Sequence, residues 1–316
     1  MGSLKGQVTY SLNALQAFGH SRRQALARGT AADKIFGIRT MQHYCELNVT
    51  FATWCRERYG TRQLAEVTAD MTAAFIADLQ GRGLSPATIS TYVSAIKKLD
   101  AGLRAVGWRR RKDEGLVQDF RGRRADIVAD PYTADDAERL IVALTAVDPQ
   151  YGQVARLQSV SGLRVSEAVH LQADCIEANG SQIVLAGPGT HTKGGRPRVA
   201  PVLTQYQPVV VTLREQGLGN GDGHVFQNRQ SLTGAVKRAA SRLAVKLGIE
   251  VGDGTHSLRK RYANELYGHL LNTGGLPREE ARRAVTHALG HSRLDVLKAY
   301  LVVDQDAQEN TDDSRR

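Results

Sequence analysis

The sequence is poor in the residues that build disulfides, metal sites and membrane spans. Its three cysteines, Cys45, Cys55 and Cys175, are odd in number and widely spaced, so they predict neither a disulfide framework nor a paired-cysteine zinc site. No apolar run approaches the roughly 18 residues of a membrane-spanning helix, and no signal-peptide pattern opens the chain. These absences indicate a cytoplasmic protein without structural disulfides.

Several common catalytic motifs are also missing. There is no acidic cluster for two metals, no His-Glu-x-x-His helix and no Gly-x-Ser-x-Gly turn, and His287 and His291 lack the rest of a zinc site. The stretch 187–194 fails as a phosphate-binding loop. Thr192 stands where the second glycine belongs, and Gly194 stands where a hydroxyl must hold magnesium. The sequence therefore predicts neither a metal site nor a nucleotide cofactor.

Positive charge is abundant. The 316 residues contain 42 Lys and Arg against 32 Asp and Glu, a formal net charge of +10. Such an excess favours a polyanionic partner, nucleic acid first and an anionic membrane surface second. A chain of this length has room for two domains.

The first part of the chain has the spacing of an all-helical domain. Residues 1–30 are weakly patterned and form an N-terminal arm, either solvated or touching DNA phosphates. Within 31–105, apolar residues at helical spacing predict three helices, with stops at Gly60 and Gly81. Ser85 and Pro86 provide an N-cap and a first-turn proline for the third helix.

A basic linker is expected at 106–129. Its candidate phosphate-binding residues are Arg109, Arg110, Arg111, Lys112, Arg121, Arg123 and Arg124. A solvated charged face and a segment that crosses a DNA backbone both remain open.

Residues 130–303 predict a second, mixed domain, followed by an acidic tail at 304–316. Strand patterns at 182–185 and 198–202 flank a glycine turn, and this hairpin presents Lys193 near its tip. A helix over 232–247 carries Lys237, Arg238 and Arg242, which are candidates for reading a DNA groove. The fold class is thus mainly α with a small β-hairpin, an α+β arrangement.

Six polar residues stand at turns and helix starts of this domain: Arg164, Lys193, His256, Arg259, His291 and Tyr300. Gly290 ends one helix, and good helix formers from Asp295 onward place Tyr300 on a second short helix. Together these residues predict a cationic pocket with one hydroxyl nucleophile.

Each of the six suits one part of a phosphoryl transfer. Two arginines can grip phosphate oxygens, tyrosine can attack phosphorus, lysine can protonate a departing sugar oxygen, and histidines can move protons. Arg196 and Arg198 lie close enough in sequence to substitute for Lys193. Glu167 either holds Arg164 or His256 in place or is a solvated helix residue.

These fragments, in this order, resemble the tyrosine recombinase family of phage integrases and Xer-type recombinases. The matching segments are Ser-Gly-Leu-Arg-Val-Ser-Glu at 161–167, Thr-Lys-Gly-Gly at 192–195, His-Ser-Leu-Arg at 256–259, Leu-Gly-His at 289–291, and Tyr300. Leu84-Ser-Pro-Ala-Thr-Ile is similar to the family's helical core-binding domain. Two features depart from the pattern: Lys260 stands where a histidine is often found, and the stretch from Arg259 to His291 is long.

The resemblance implies a site-specific recombinase that joins its tyrosine to a DNA 3′-phosphate without metal or nucleotide, for integration or excision of a mobile element. It implies double-stranded DNA with inverted-repeat-like core sites, a homotetramer on two duplexes and, in some systems, accessory DNA-bending factors. A type IB topoisomerase-like enzyme and a catalytically silent DNA-binding architectural protein are the alternatives.

Overall fold

The computed structural model describes residues 2–31, 33–109, 114–118, 130–187, 189–192, 195–249 and 254–302. The chain divides into two compact units, Met1–Asp126 and Ile127–Arg316. Both are built mainly from helices, and the described residues form a single two-stranded sheet. The predicted fold class, mainly α with a small β-hairpin, is confirmed.

The first unit is all-helical in its described residues. Its helices are α1 (Leu4–Asn13), α2 (Arg22–Ala27), α3 (Ile38–Tyr59), α4 (Ala69–Gly81) and α5 (Pro86–Ala105), with a 3-10 turn at Leu64–Glu66. The three predicted helices are confirmed as α3, α4 and α5. Gly60 ends α3 in the left-handed region at φ 72°, and the Ser85 hydroxyl accepts a hydrogen bond from the Thr88 amide at the start of α5.

The N-terminal residues differ from the expected arm. Val8, Leu12 and Leu15 are buried in the core of the first unit together with residues of α3 and α5. The backbones approach so closely that a Cβ added to Gly102 of α5 would lie 2.5 Å from the Ser11 carbonyl oxygen. The prediction of a separate N-terminal arm at 1–30 is therefore corrected. Helix α1 is part of the first unit, because its apolar residues Val8 and Leu12 are buried in the core of that unit.

The second unit surrounds its small sheet with helices. They are α6 (Ala134–Val147), α7 (Pro149–Ser161), α8 (Val165–Val169), α9 (Gln207–Gly219), α10 (Arg229–Lys246), α11 (Thr255–Asn272) and α12 (Arg278–Ala288). Strands β1 (Gln182–Leu185) and β2 (Arg198–Pro201) pair antiparallel, with Leu185 opposite Arg198. In the described part of this unit, 3-10 turns lie at Ala173–Cys175, Thr204–Tyr206 and Leu294–Ala299.

Helix α7 lies at the centre of this unit and packs against α6 and α11. It ends at Gly162, which adopts a left-handed φ of 60°. Any side chain there would also collide with the Tyr262 ring of α11, because an added Cβ would lie 2.2 Å from a ring carbon. This glycine therefore sets both the turn before Arg164 and the close crossing of α7 and α11.

The second short helix that the sequence predicted is present, but Tyr300 does not lie within it. This segment is a 3-10 helix over Leu294–Ala299, and Tyr300 is the residue that ends it. A helix of six residues makes few helical hydrogen bonds, so these bonds alone stabilise it weakly. The burial of Leu297 therefore holds this segment against the rest of the unit. No helix in the described part of the chain is long and apolar enough to cross a membrane.

Candidate active site

Five of the six predicted catalytic residues come together in the second unit. Arg164 precedes α8, His256 and Arg259 lie on the first turns of α11, His291 follows α12, and Tyr300 follows the last 3-10 turn. The sixth residue, Lys193, lies outside the described residues. The site thus collects side chains from four separate segments.

Glu167 organises the arginines of the site. Its buried carboxylate accepts hydrogen bonds from the Arg164 amide at 2.7 Å, the Arg164 guanidinium at 2.7 Å and the Arg198 guanidinium at 2.6 Å. The Arg259 guanidinium lies 3.9 Å from the same carboxylate. Burial opposes ionisation, but the charges of Arg198, Arg164 and Arg259 and the Arg164 amide outweigh it and lower the pKa of Glu167. The interpretation of Glu167 as a solvated residue was wrong.

Arg198 is a member of this cluster that sequence reasoning missed. It donates to Glu167 and to the Ala288 carbonyl, and its side chain is buried. It therefore cannot substitute for Lys193 at the hairpin tip, as the sequence had suggested. The signal that could have found it was alternation along β2, since Arg198 shares the inward face with Ala200.

Gly290 makes room for Arg198. Its φ is 66°, and an added Cβ would lie 2.6 Å from Cδ of Arg198. The glycine before His291 is therefore required by the turn and by the buried arginine beside it.

Arg259 is completely buried. Its guanidinium donates to the carbonyl oxygens of Gly162 and Leu289, and it lies 3.5 Å from Nε2 of His291. Burial and the positive charges of Arg198 and Arg164 lower its pKa to about 10, although Tyr300 and Glu167 act in the opposite direction. A negatively charged ligand would relieve this repulsion.

Tyr300 lies at the centre of these groups. Its hydroxyl oxygen is 3.1 Å from Nε2 of His256, and its ring meets the rings of His256 and His291 edge to face. The guanidinium carbon of Arg259 lies 5.9 Å from the ring centroid. Only 5% of Tyr300 is exposed, so the hydroxyl is held beside an imidazole nitrogen and close to the Arg259 guanidinium.

A pocket of about 320 Å³ adjoins His291. It is lined by Arg196, Pro197, Arg198, Val199, His287, Gly290, His291 and Ser292. The Arg196 guanidinium donates to the Ser292 hydroxyl at 3.1 Å, which ties the hairpin to the turn after α12. The pocket offers the guanidiniums of Arg196 and Arg198 beside His291.

The predicted DNA-binding residues divide into three groups. Arg110, Arg111, Lys112, Arg121, Arg123 and Arg124 lie outside the described residues. Lys237, Arg238 and Arg242 are exposed on α10. The prediction that Arg109 binds DNA is corrected. Its guanidinium pairs with Asp100 at 3.1 Å and donates to the carbonyls of Val67 and Glu114, so these groups within the protein already occupy it.

The charge of the site suits a phosphate. Three guanidiniums surround the carboxylate of Glu167, an arrangement that leaves excess positive charge in a largely dry environment. Within the described part of the chain, no group of three or more His, Cys, Asp or Glu side chains could hold a metal ion. The groups on hand are a phenol, two imidazoles and arginines, which together can attack and hold a phosphoryl centre.

Comparison with known proteins gives a consistent result. The profile of the Phage integrase family matches residues 132–306. Tyrosine recombinase XerD of Caulobacter vibrioides is 26% identical over 252 residues, which cover 75% of this chain and 77% of the relative. Tyrosine recombinase XerD of Rhizobium meliloti is 26% identical over 294 residues, 86% of each chain.

The fold is similar to that of solved recombinases. The crystal structure of XerH site-specific recombinase bound to palindromic difH substrate, a post-cleavage complex, superposes with a TM-score of 0.62. The match covers 94% of this chain and 90% of that one at 17% identity. Because the family profile spans more than half of the sequence and includes Arg164, His256, Arg259, His291 and Tyr300, this chain belongs to the phage integrase family.

Proposed function

We propose that this protein is a site-specific DNA recombinase that cuts and rejoins DNA through a 3′-phosphotyrosyl intermediate. The observation that carries the proposal is the Tyr300 hydroxyl, 3.1 Å from His256 and beside Arg259 and His291. A phenol next to a proton acceptor and a guanidinium is a nucleophile placed for phosphorus.

Side chains of this protein can supply every proton transfer that the proposed cleavage step needs. The Tyr300 oxygen attacks the scissile phosphorus as His256 accepts the phenolic proton. The bond from phosphorus to the 5′-oxygen of the next nucleotide breaks, and Lys193 gives that oxygen a proton. The products are a 3′-phosphotyrosine and a free 5′-hydroxyl. Attack by another 5′-hydroxyl reverses the step and rejoins the strands, so no external energy source enters.

Arginines stabilise the charge that develops on the phosphoryl oxygens. Arg164 retains 22% side-chain exposure while Glu167 fixes its orientation, so it is available to an incoming phosphate. The Arg259 guanidinium carbon lies 5.9 Å from the Tyr300 ring centroid and the His291 ring meets the Tyr300 ring edge to face, so both groups are close to the reacting centre. Such preorganised donors act strongly because little water competes with them.

The DNA partner is double-stranded, with inverted-repeat-like core sites. The exposed Lys237, Arg238 and Arg242 of α10 would contact it, and the basic residues of 110–124 would cross its backbone. XerH, a protein of similar fold, was crystallised on a palindromic site. We further propose a homotetramer on two duplexes, accessory bending factors in some reactions, and a role in integration or excision of a mobile element on the cytoplasmic nucleoid.

Covalent trapping tests this function. A suicide duplex, nicked so that the 5′-hydroxyl fragment diffuses away, should accumulate a denaturation-resistant protein–DNA adduct at one position. Tyr300→Phe should bind the same DNA and form no adduct, because it lacks the nucleophilic oxygen. Tyr151→Phe, which removes a hydroxyl elsewhere in the unit, is the matched control.

The outcomes of this experiment separate the alternatives. An adduct formed by Tyr300→Phe would contradict the assignment of the nucleophile. DNA binding by the wild type without any adduct would indicate an architectural protein, and adducts with no site preference would indicate a topoisomerase-like enzyme.

A further inference from the structure

Asn264 contacts the backbone on both sides of the residue that follows Tyr300. Its side-chain Nδ2 donates to the Tyr300 carbonyl oxygen, and its Oδ1 accepts from the Val302 amide at 3.0 Å. The second Nδ2 hydrogen goes to the Lys260 carbonyl at 2.9 Å, one turn earlier on α11. Three backbone groups thus use the donors and the acceptor of this one amide.

The two distant bonds have the pattern of a strand pairing. A side-chain amide carries the same donor and acceptor as a peptide group, and here it pairs with the C=O of Tyr300 and the N–H of Val302. Leu301, between them, is completely buried in the apolar cluster of α11 and α12. The chain immediately after the nucleophile is therefore fastened to α11.

The same helix carries the proton acceptor. His256 and Asn264 both lie on α11, so one rigid element fixes the imidazole and the backbone from which the phenol projects. The separation of 3.1 Å between the Tyr300 oxygen and His256 depends on both ends of that arrangement. Loss of the Asn264 bonds would leave the short 3-10 turn and the buried Leu301 as the local restraints.

We propose that Asn264 is a positioning residue that holds the Tyr300 backbone in register with His256 and Arg259. This inference rests on the proposed function of Tyr300 as nucleophile. Asn264 touches neither the substrate nor the reacting atoms, and it acts through the main chain of residues 300–302.

The test uses Asn264→Asp and Asn264→Ala in the full chain. Aspartate has the same shape and still accepts from Val302, but it cannot donate and faces two carbonyl oxygens. Alanine loses all three bonds. Asn272→Asp, an exposed position at the end of the same helix, makes the same chemical change as a control.

Three quantities are measured: the single-turnover rate of adduct formation on the suicide duplex, DNA affinity by gel shift, and amide hydrogen exchange. We expect both Asn264 variants to lose at least about tenfold in adduct rate, since each hydrogen bond removed is worth roughly 2- to 10-fold and both variants lose the two donor bonds. DNA affinity should stay at the wild-type level, and exchange should accelerate at residues 301–302 while α7 keeps its protection.

An adduct rate at the wild-type level in both variants would overturn the proposal. A rate that falls only together with the protection of α7 would do so as well, because it would mean general destabilisation. If the wild type itself forms no adduct, the proposed function of Tyr300 fails. Unchanged hydrogen exchange at residues 301–302 in the variants would separately contradict the proposal that Asn264 holds this backbone.

Discussion

Two arginine clusters in this protein are built on the same principle and end with different properties. In the first unit, Asp100 pairs with Arg104 and Arg109, each through Nε at 3.1 Å. In the second unit, Glu167 pairs with Arg164 and Arg198 and lies near Arg259. Each cluster centres on one carboxylate, but the second lies beside Tyr300, His256 and His291.

The two clusters differ in the partners of the guanidinium nitrogens that do not contact the central carboxylate, and in their net charge. Arg109 uses its other nitrogens on the carbonyls of Val67 and Glu114, so the Asp100 cluster holds Arg109 and Glu114 within the first unit. Around Glu167, three guanidiniums face one carboxylate and leave one more uncompensated positive charge than the two guanidiniums around Asp100. The larger uncompensated charge favours binding of an anion at the Glu167 cluster, whereas the guanidiniums around Asp100 also donate to the backbone carbonyls of Val67 and Glu114.

The largest expected effect is on stability when the central carboxylates are neutralised. Glu167→Gln should lower the free energy of unfolding of the second unit by about 3–5 kcal/mol, because three guanidiniums lose their counter-charge in a dry site. Asp100→Asn should cost the first unit less, about 1.5–3 kcal/mol, since its partners stay bound to backbone carbonyls. Amide hydrogen exchange of α7 and α5 in the full chain measures each unit.

The stability of the second unit should also depend on pH through Glu167. The pKa of Glu167 is lowered in the folded protein, so its contribution is complete above the ordinary value of 4.5 and is lost as the pH falls through the lowered one. Glu167→Gln should remove this part of the acid sensitivity of the second unit. Equal acid sensitivity of α7 exchange in wild type and variant would show that Glu167 is not held ionised.

The next effect is on cleavage. Arg164→Ala should reduce the rate of adduct formation by about 10²–10³-fold, the cost of removing one preorganised donor from a transition state. Arg104→Ala, which removes a guanidinium from the Asp100 cluster, should leave the rate per folded molecule unchanged. Single-turnover trapping on saturating suicide DNA measures both, and comparable losses would abolish the distinction between the clusters.

The smallest effect is on the salt dependence of DNA binding. Removing charge at Arg238 or Arg242 of α10 should make the slope of log K against log salt shallower by about 0.9 for each phosphate that the variant no longer neutralises. Arg109→Ala should leave the slope unchanged because its guanidinium is already bound to Asp100. DNA-binding titrations at several salt concentrations measure these slopes. A shallower slope for Arg109→Ala and an unchanged slope for the α10 variants would mean that Arg109, and not α10, binds DNA phosphates.

Local rules were sufficient for most of the elements. Gly60 and Gly162 end helices because glycine readily adopts left-handed backbone, and Ser85 and Thr133 begin them because their hydroxyls accept from free amides. Arg164, Arg259, His256, His291 and Tyr300 were identifiable because each stands at a turn or helix start in a recognisable order. These features depend on a few residues that are neighbours in the sequence, and the sequence alone can therefore predict them.

Packing between distant segments settled the rest. Nothing local distinguishes Arg109, which is bound to Asp100, from an arginine that reaches DNA, and nothing local places Arg198 under Glu167. Asn264 looks like an ordinary helix residue until the segment after Tyr300 folds back onto it. The order of residues is enough to say which chemical groups are present. Which charges are balanced, and which remain available for a phosphate, depends on pairs that meet only when the chain has folded.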